Sequence, residues 1–127
     1  MAQDNYPKVY VSVESVYMAA ASNPQSDQYT FAYTVSIDNR GPGGAKLLNR
    51  YWSIKNSHDQ SYEVQGQGVI GEQPHLPAGE SYQYSSATVI DTPVGTMEGY
   101  YEMETDQGEV FTVPIEPFIL AVPGHLN

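Results

Sequence analysis

The chain has no cysteine, and this absence excludes two ways of holding a small protein together. Neither a disulfide framework nor a thiolate metal site is possible, so apolar packing alone must stabilise the fold. A chain without cysteine also suits a reducing cytoplasm, which is the location we expect. The 127 residues fit one domain spanning 1–127, and such a domain buries roughly two thirds of the surface that its unfolded chain exposes.

Basic residues are missing from the second half of the sequence. All five Lys and Arg residues lie before residue 56, together with four acids, whereas residues 56–127 contain eleven acids and no Lys or Arg. Phosphate recognition needs a basic surface, because its affinity comes from counterion release. We therefore expect no nucleic-acid partner. The acidic half is either a solvated surface that keeps the protein soluble or a surface that attracts a basic protein or cations.

Long apolar runs are missing as well. The longest uninterrupted one covers residues 118–123, far short of the roughly 20 residues that a membrane-spanning helix needs. Residues 1–8 lack the basic head and the apolar core of a signal peptide. We expect a soluble, intracellular protein without a membrane partner.

What the sequence does have is alternation of apolar and polar residues with a period of two. In residues 29–37 every odd position is large and apolar or aromatic and every even position is small, which is typical of a strand with one buried face. Similar patterns predict strands at 9–17, 47–55, 61–64, 81–90, 97–104 and 110–115, and a tail strand at 118–122.

About seven strands with frequent turn signals and no convincing helix predict an all-β fold. We expect an antiparallel β-sandwich of immunoglobulin-like or fibronectin type III-like character. A closed barrel is the alternative architecture.

The single tryptophan lies in the strand predicted at 47–55. Alternation places Leu48, Trp52 and Ile54 on one face of that strand. A tryptophan at such a position fills the space between the two sheets of a sandwich, so we expect Trp52 to be a core residue.

Eleven tyrosines are many for a chain of this length. Tyr10, Tyr51 and Tyr100 fall on strand faces opposite the apolar stripes, so we expect them to be partly exposed. They are our candidates for a protein-binding surface, and cross-strand pairing within the sheet is the alternative explanation. An edge strand could also pair with a second copy of the chain and form a homodimer.

Residues 66–71 spell G-x-G-x-x-G, with Gly66, Gly68 and Gly71 as the glycines. This pattern binds a pyrophosphate when it closes a strand and opens a helix whose free N–H groups face the anion. Here a run rich in proline and glycine follows, which breaks helices, and then an alternating strand. We therefore predict that the glycines form a turn or bulge between two strands.

The three histidines show no catalytic or metal-binding spacing. His58, His75 and His125 are far apart in the sequence and fall in predicted loops or in the tail. Without a nucleophile elbow or another positional motif, we expect no enzymatic activity and no cofactor.

Two glutamates are candidates for a weak cation site. Glu102 and Glu104 share one face of the strand predicted at 97–104 and lie about 7 Å apart at ~3.4 Å per residue. A hard cation such as magnesium prefers several oxygen ligands, so a carboxylate or carbonyl from a neighbouring strand would have to complete the site.

Four longer segments identify a family when they are taken together. They are residues 31–35 (FAYTV), 47–54 (LLNRYWSI), 63–74 (EVQGQGVIGEQP) and 92–103 (TPVGTMEGYYEM). In this order and spacing they resemble the bacterial ApaG family, also called CorD, over about residues 6–123. The resemblance implies a fibronectin type III-like sandwich without an assigned catalytic activity. Related domains occur in some eukaryotic F-box proteins and in a polymerase-interacting protein, so the resemblance also implies protein binding.

The resemblance further implies a link to cobalt resistance and magnesium efflux and, through a neighbouring gene, to diadenosine tetraphosphate hydrolysis. The family's glycine pattern carries over onto Gly66, Gly68 and Gly71. Two hypotheses follow. The first is a non-enzymatic module that binds another protein. The alternative is a binder of a diadenosine polyphosphate, pyrophosphate or a divalent cation that uses the Gly66 to Gly71 loop or the acidic sheet face.

Overall fold

Eight β-strands make up most of residues 7–125. The structure is a computed structural model that describes residues 7–125. The strands are β1 (Val9–Tyr17), β2 (Tyr29–Asn39), β3 (Ala45–Asn56), β4 (Ser61–Gln67), β5 (His75–Leu76), β6 (Ser81–Ile90), β7 (Val94–Thr105) and β8 (Val110–Ala121). Two 3-10 turns, Ala19–Ala21 and Pro24–Ser26, separate β1 from β2. Residues 7–125 contain no helix that is long and apolar enough to cross a membrane.

The strands form two antiparallel sheets. One sheet has the order β1-β2-β6, and the other has the order β4-β3-β7-β8 with the short β5 also paired to β3. The predicted antiparallel β-sandwich is confirmed. The prediction of about seven strands did not include β5, because a strand of two residues shows no alternation.

The core lies between the sheets and is built from the alternate residues that the pattern predicts. In β2 the buried side chains are Phe31, Tyr33, Val35 and Ile37. Trp52 of β3 is 2% exposed and packs edge-on against Tyr33, with ring centroids 5.5 Å apart. The prediction that Trp52 is a core residue is confirmed. Burial of each large apolar side chain stabilises the fold by roughly 1.5–3 kcal/mol.

A β-bulge in β3 changes one predicted core residue. The pairing of β3 with β7 shifts register between Leu47 and Asn49. Leu47 is fully buried, whereas Leu48, which alternation places inward, is only partly buried. An extra residue in one strand reverses the side-chain direction, and a strict period of two cannot anticipate this.

The last strand is longer than predicted. The sequence pattern predicts a strand at 110–115 and a separate tail strand, whereas β8 runs through both regions with a register shift opposite Met97 and Gly99. Pro117 lies in the gap between the two predicted strands, within the continuous β8. Because β8 lies at the edge of its sheet, a proline there can face solvent without removing a hydrogen bond from the ladder.

The two sheets differ in width, and one side of the sandwich is left open. On one side β1 packs against β8, and the Ser15 hydroxyl donates to the Ile119 carbonyl at 3.0 Å. On the other side β4 is exposed at every position except Gly66. The Tyr62 hydroxyl of β4 reaches β6 and donates to the Val89 carbonyl at 2.8 Å. We call the side bounded by β4 and β6 the open side.

Candidate functional site

The glycine pattern of residues 66–71 lies at the end of β4 and in the turn that follows. Val69 and Glu72 exchange two backbone hydrogen bonds, of 2.8 and 2.9 Å, across Ile70 and Gly71. The two central residues have φ values of 42° and 81°, and two positive values in succession are typical of a type I′ hairpin turn. The prediction of a turn between strands at this place is confirmed.

Each of the three glycines has a packing or conformational reason. A Cβ on Gly66 would lie 2.8 Å from the guanidinium of Arg50, and one on Gly68 would overlap the Glu72 carbonyl oxygen. Gly71 supplies the positive φ of the second turn position at little steric cost. Close approach and turn geometry therefore explain the pattern without a bound phosphate.

The backbone amides near this turn are used within the sheet. The Gly68 N–H donates to the Leu48 carbonyl at 2.8 Å, and the N–H groups of Val69 and Glu72 donate to each other's carbonyls. An anion held by these three amides would have to replace hydrogen bonds that each contribute about 1 kcal/mol net. This arrangement differs from the free amides of a helix N-terminus, which attract phosphate.

Arg50 is a charged side chain on the inner face of β3. It lies two residues before Trp52 and is only partly exposed. Its Nη1 donates to the carbonyls of Gln67 and Gly68 at 3.1 and 2.9 Å. Within residues 7–125 no carboxylate forms an ion pair with it. The geometry leaves the guanidinium charge available to a ligand.

A cavity of about 200 Å³ lies beside Arg50, between the turn at residues 70–71 and β6. Its wall includes Tyr84, whose hydroxyl is hydrogen-bonded to that of Tyr101. Burial raises the pKa of Tyr84 to about 12 and the pKa of Tyr101 well above its ordinary value. Both hydroxyls are neutral at pH 7, so they do not compete for the guanidinium as anions. Typical ligand pockets have roughly 300–1,000 Å³, so this cavity suits one side chain better than a dinucleotide.

The structure brings two of the three predicted surface tyrosines together. Tyr51 of β3 and Tyr100 of β7 are cross-strand neighbours, with ring centroids 4.9 Å apart and planes inclined by 25°. Tyr10 lies on the outer face of the other sheet, where the Arg40 guanidinium is 4.8 Å from its ring centroid. The stacked pair therefore forms one surface, and Tyr10 lies on the opposite side of the sandwich.

Carboxylates surround the stacked tyrosines. Ser53, two residues after Tyr51 in β3, has Glu63 and Glu98 as its register partners in the two neighbouring strands. Hydrogen bonding by the Glu63 carboxylate raises the pKa of Tyr51. We call the surface formed by Tyr51, Tyr100, Glu63, Glu98 and Glu102 the acidic aromatic face.

The predicted cation ligands lie on this same side of β7. Glu102 and Glu104 alternate with the buried Tyr101 and Met103. The Asn49 Nδ2 donates to Glu102 Oε1 at 2.6 Å. Across the described residues, no three Asp, Glu, His or Cys side chains cluster closely enough to hold a metal ion. The two glutamates alone supply fewer ligands than magnesium or calcium prefers.

His75 is not isolated, in contrast to the expectation from its sequence position. Its Nε2 lies 2.8 Å from Asp106 Oδ1, and both side chains are about half exposed. β5 brings them together by pairing with Ala45 and Lys46 of β3. An exposed ion pair of this kind contributes about 0–1 kcal/mol when the histidine is protonated, so it fixes β5 only weakly.

Sequence reasoning missed two residues of the open side. Alternation from Trp52 does place Arg50 on the inner face, and a charged residue at an inward position is the signal that would have found it. No pattern marks Ile70, because type I′ turns normally carry Asn, Asp or Gly at its position.

Comparisons with known proteins agree with this architecture. The sequence model of the ApaG domain matches residues 19–105. The chain is 54% identical over 119 residues to Protein ApaG of Klebsiella pneumoniae (strain 342), and 53% identical over 119 residues to Protein ApaG of Citrobacter koseri. Each alignment covers 94% of this chain and 95% of the relative.

A solved structure is similar along nearly its whole length. The crystal structure described as that of an ApaA protein from Bordetella pertussis superposes with a TM-score of 0.90 at 42% sequence identity. The superposition covers 93% of this chain and 96% of that chain. The fold described above is therefore shared with an experimental structure.

Proposed function

The chain belongs to the ApaG family, and from this premise we propose that it is a non-enzymatic β-sandwich module that binds another protein. The contact surface is the acidic aromatic face. The partner presents a basic surface in which arginine contacts the tyrosines. The stacked Tyr51 and Tyr100 rings among carboxylates are the observation that carries this proposal.

The chemistry of this face suits arginine. A guanidinium stacks on aromatic rings and donates two parallel hydrogen bonds to a carboxylate, and here both kinds of group lie side by side. Tyrosine also loses little side-chain entropy on binding, because it has few rotatable bonds and these two rings already hold each other. Tyrosine and arginine are accordingly enriched at protein interfaces.

The charge distribution supports the same partner class. Residues 56–127 contain eleven acids and no Lys or Arg. A field of one sign accelerates association with an oppositely charged partner and makes the association sensitive to salt. The protein is therefore proposed to act on a basic partner. The proposed location is the cytoplasm, because a chain without cysteine suits a reducing compartment. The family resemblance associates such a module with cobalt resistance and magnesium efflux.

Affinity capture with three forms of the protein tests the proposal. The wild-type chain, a Tyr51→Ser/Tyr100→Ser double variant and a Tyr10→Ser control are immobilised, and bound proteins are quantified by mass spectrometry. We expect a basic protein retained by the wild type and by the control, reduced at least tenfold on the double variant and released by 0.5 M NaCl. Equal capture by all three forms would contradict the assignment of the face.

A nucleotide titration tests the alternative function. Diadenosine tetraphosphate, pyrophosphate and magnesium are added separately while the backbone amide resonances of Gly66, Gly68 and Gly71 are followed. We expect no saturable shift at these amides, because hydrogen bonds of the sheet and turn already use Gly68 and its neighbours. Saturable local shifts would favour a small-molecule binder.

A further inference from the structure

The open side carries a second surface, which does not depend on the acidic aromatic face. Among the described strands β6 pairs only with β2. Next to this ladder the Asn39 N–H donates to the Glu80 carbonyl at 3.0 Å. In an antiparallel pair this fixes the even-numbered residues of β6 as those whose backbone groups face β2. The N–H and C=O groups of odd-numbered residues from Gln83 to Val89 therefore face away from the sheet, and we call this row the β6 edge.

One contact shows that the β6 edge accepts hydrogen bonds from outside its sheet. The Tyr62 hydroxyl donates to the Val89 carbonyl, which belongs to the outward-facing row. Within residues 7–125 no other strand occupies this row.

The other edge strands, β1, β4 and β8, contain residues that discourage pairing with a further strand, whereas β6 does not. Natural sheets protect edge strands with charged residues or proline. Glu14 lies in β1 and Glu63 lies in β4, and β8 contains Pro114 and Pro117. The segment Ser81–Ile90 contains neither a charged residue nor proline. By this criterion β6 is the edge strand whose free backbone N–H and C=O groups can pair with another strand.

The inner face of β4 forms a wall opposite the β6 edge. Tyr62 and Val64 are register partners of the buried Ile54 and Trp52 of β3, yet both are exposed. They are exposed because the three-stranded sheet does not extend over β4. Ile70, which is 58% exposed, adds an apolar side chain at the turn. The β6 edge and this wall enclose a groove with an apolar side.

The Arg50 guanidinium supplies a positive charge at one end of the groove. It lines the same cavity as Tyr84 and Ser86 of β6. Its Nη1 is used by two backbone carbonyls, whereas Nε and Nη2 have no acceptor in the described part of the chain. A guanidinium with donors left over binds a carboxylate through charge-assisted hydrogen bonds.

We propose that this groove binds an extended peptide segment of a partner protein, which adds to β6 as a fourth strand and places one Asp or Glu side chain against Arg50. The backbone of the peptide pairs with the β6 edge. Because side chains alternate along a strand, every second residue of the peptide contacts the apolar wall that includes Tyr62 and Val64, and the others face solvent.

The same observations distinguish a foreign peptide from a second copy of the chain. Two copies paired through β6 would place Ser81–Ile90 of one chain beside the same segment of the other. That segment contains no carboxylate, so a symmetric pair of this kind leaves Arg50 without a partner. An acidic side chain on a different peptide provides the missing charge.

The probe is a peptide selected from a random ten-residue library displayed on phage, with the whole 127-residue chain as bait. We expect a consensus with apolar residues at alternate positions and one Asp or Glu. The selected peptide is then synthesised with that acid and with its amide counterpart, Gln or Asn. Absence of a consensus, or a consensus without the acid, would overturn the proposal.

Hydrogen exchange of the unmodified protein locates the bound peptide. We expect the amides of Ser85 and Ala87 to exchange rapidly without peptide and at least tenfold more slowly when it is saturating. The amides of Ser86 and Thr88, which face β2, should change little. Protection that does not alternate along β6 would contradict strand addition. Light scattering that shows a dimer protected at the same amides would assign the edge to a second copy.

A double-mutant cycle tests whether the Arg50 guanidinium contacts the acidic side chain of the peptide. Replacing the peptide acid by its amide, or making Arg50→Gln, should each weaken binding about tenfold, which corresponds to one charged hydrogen-bonded pair. The two changes together should weaken binding no further than either alone. Additive losses would show that Arg50 does not contact the acid. The Tyr51→Ser/Tyr100→Ser variant should bind this peptide as the wild type does, so the two surfaces are tested separately.

Discussion

Ile70 is the residue at which backbone geometry and side-chain type disagree most. Its φ of 42° lies in the left-handed region, which β-branched residues avoid because the Cβ approaches the backbone. Its side chain is 58% exposed, so burial does not compensate for this strain. A strained, exposed, apolar residue beside the Arg50 cavity is consistent with a binding role, because functional sites often retain unfavourable conformations.

The variant Ile70→Asn should be more stable than the wild type. Asn tolerates a positive φ and is preferred at this position of a type I′ turn, so we expect the free energy of unfolding to rise by about 1 kcal/mol. Urea denaturation followed by circular dichroism measures the change. Gly71→Ala is the matched control and should lower stability, since it adds a Cβ at the other positive φ. A loss of stability in Ile70→Asn would show that contacts of the isoleucine outweigh its strain.

The hydroxyls of Tyr84 and Tyr101 form a hydrogen-bonded pair inside the sandwich. Tyr101 is fully buried, and its hydroxyl has that of Tyr84 as partner. Burial favours the neutral phenol over the phenolate, so the pKa of Tyr84 rises to about 12 from an ordinary value near 10. Between these two values the unfolded chain releases a proton that the folded chain retains.

Stability should therefore fall as the pH rises above 10. Below pH 10 the Tyr84 hydroxyl keeps its proton in the folded and in the unfolded chain, so the free energy of unfolding does not depend on it. From pH 10 to 12 this free energy falls by up to ~1.4 kcal/mol per pH unit. Urea unfolding at pH 8, 10 and 11 measures the slope. A Tyr84→Phe/Tyr101→Phe variant should show a smaller fall over that range. An equal slope in both proteins would exclude this pair as its origin.

At the scale of the strands, the two sheets differ in how their edges are finished. β1 and β8 pack together on one side, whereas β4 extends beyond β6 on the other. β4 alternates two apolar residues with polar ones, as a half-buried strand does, but the opposite sheet is too narrow to bury its inner face. The excess width of one sheet thus creates the groove.

Proline substitution should distinguish the two sides of β6. In Ala87→Pro the lost N–H belongs to the β6 edge. We therefore expect the free energy of unfolding to fall by less than ~1.5 kcal/mol and the fold to be retained. In Ser86→Pro the lost N–H faces β2, and we expect a cost of about 3 kcal/mol or more. Thermal unfolding monitored by circular dichroism compares the two variants. Similar losses in both would contradict the assignment of the β6 edge.

At the scale of the whole molecule, charge is distributed unevenly over a single sandwich. The net charge is −10, and four glutamates lie on the outer side of β4 and β7. In a compact state such charges repel one another, and salt screens them over roughly 10 Å at 0.1 M. Repulsion within the acidic surface therefore lowers the stability of the folded state at low ionic strength.

Sodium chloride should raise the midpoint of thermal unfolding. Between 10 and 300 mM NaCl we expect an increase of about 2–5 °C, because screening reduces the repulsion in the folded state. Scanning calorimetry measures the midpoint. Magnesium chloride at equal ionic strength is the control for Glu102 and Glu104. A larger rise with magnesium that Glu102→Gln abolishes would demonstrate a specific cation site, whereas equal rises indicate screening alone.

Much of the fold could be predicted from local patterns. The alternation in β2 and the position of Trp52 predict buried faces directly, because the period of two is a property of any extended chain. The bulge between Leu47 and Asn49 and the continuous β8 could not be predicted in this way. Both depend on how one strand meets its neighbour, which the sequence of a single strand does not encode.

The candidate sites divide along the same line. The sequence by itself determined that the glycine pattern at residues 66–71 precedes no helix, that Tyr51 and Tyr100 face outward and that the second half is acidic, since these follow from residue type and alternation. Only the tertiary structure decided that the two tyrosines stack, that Arg50 borders a cavity and that β6 has an open edge. These features join residues far apart in the chain, and their contacts exist only after the sheets have paired and packed.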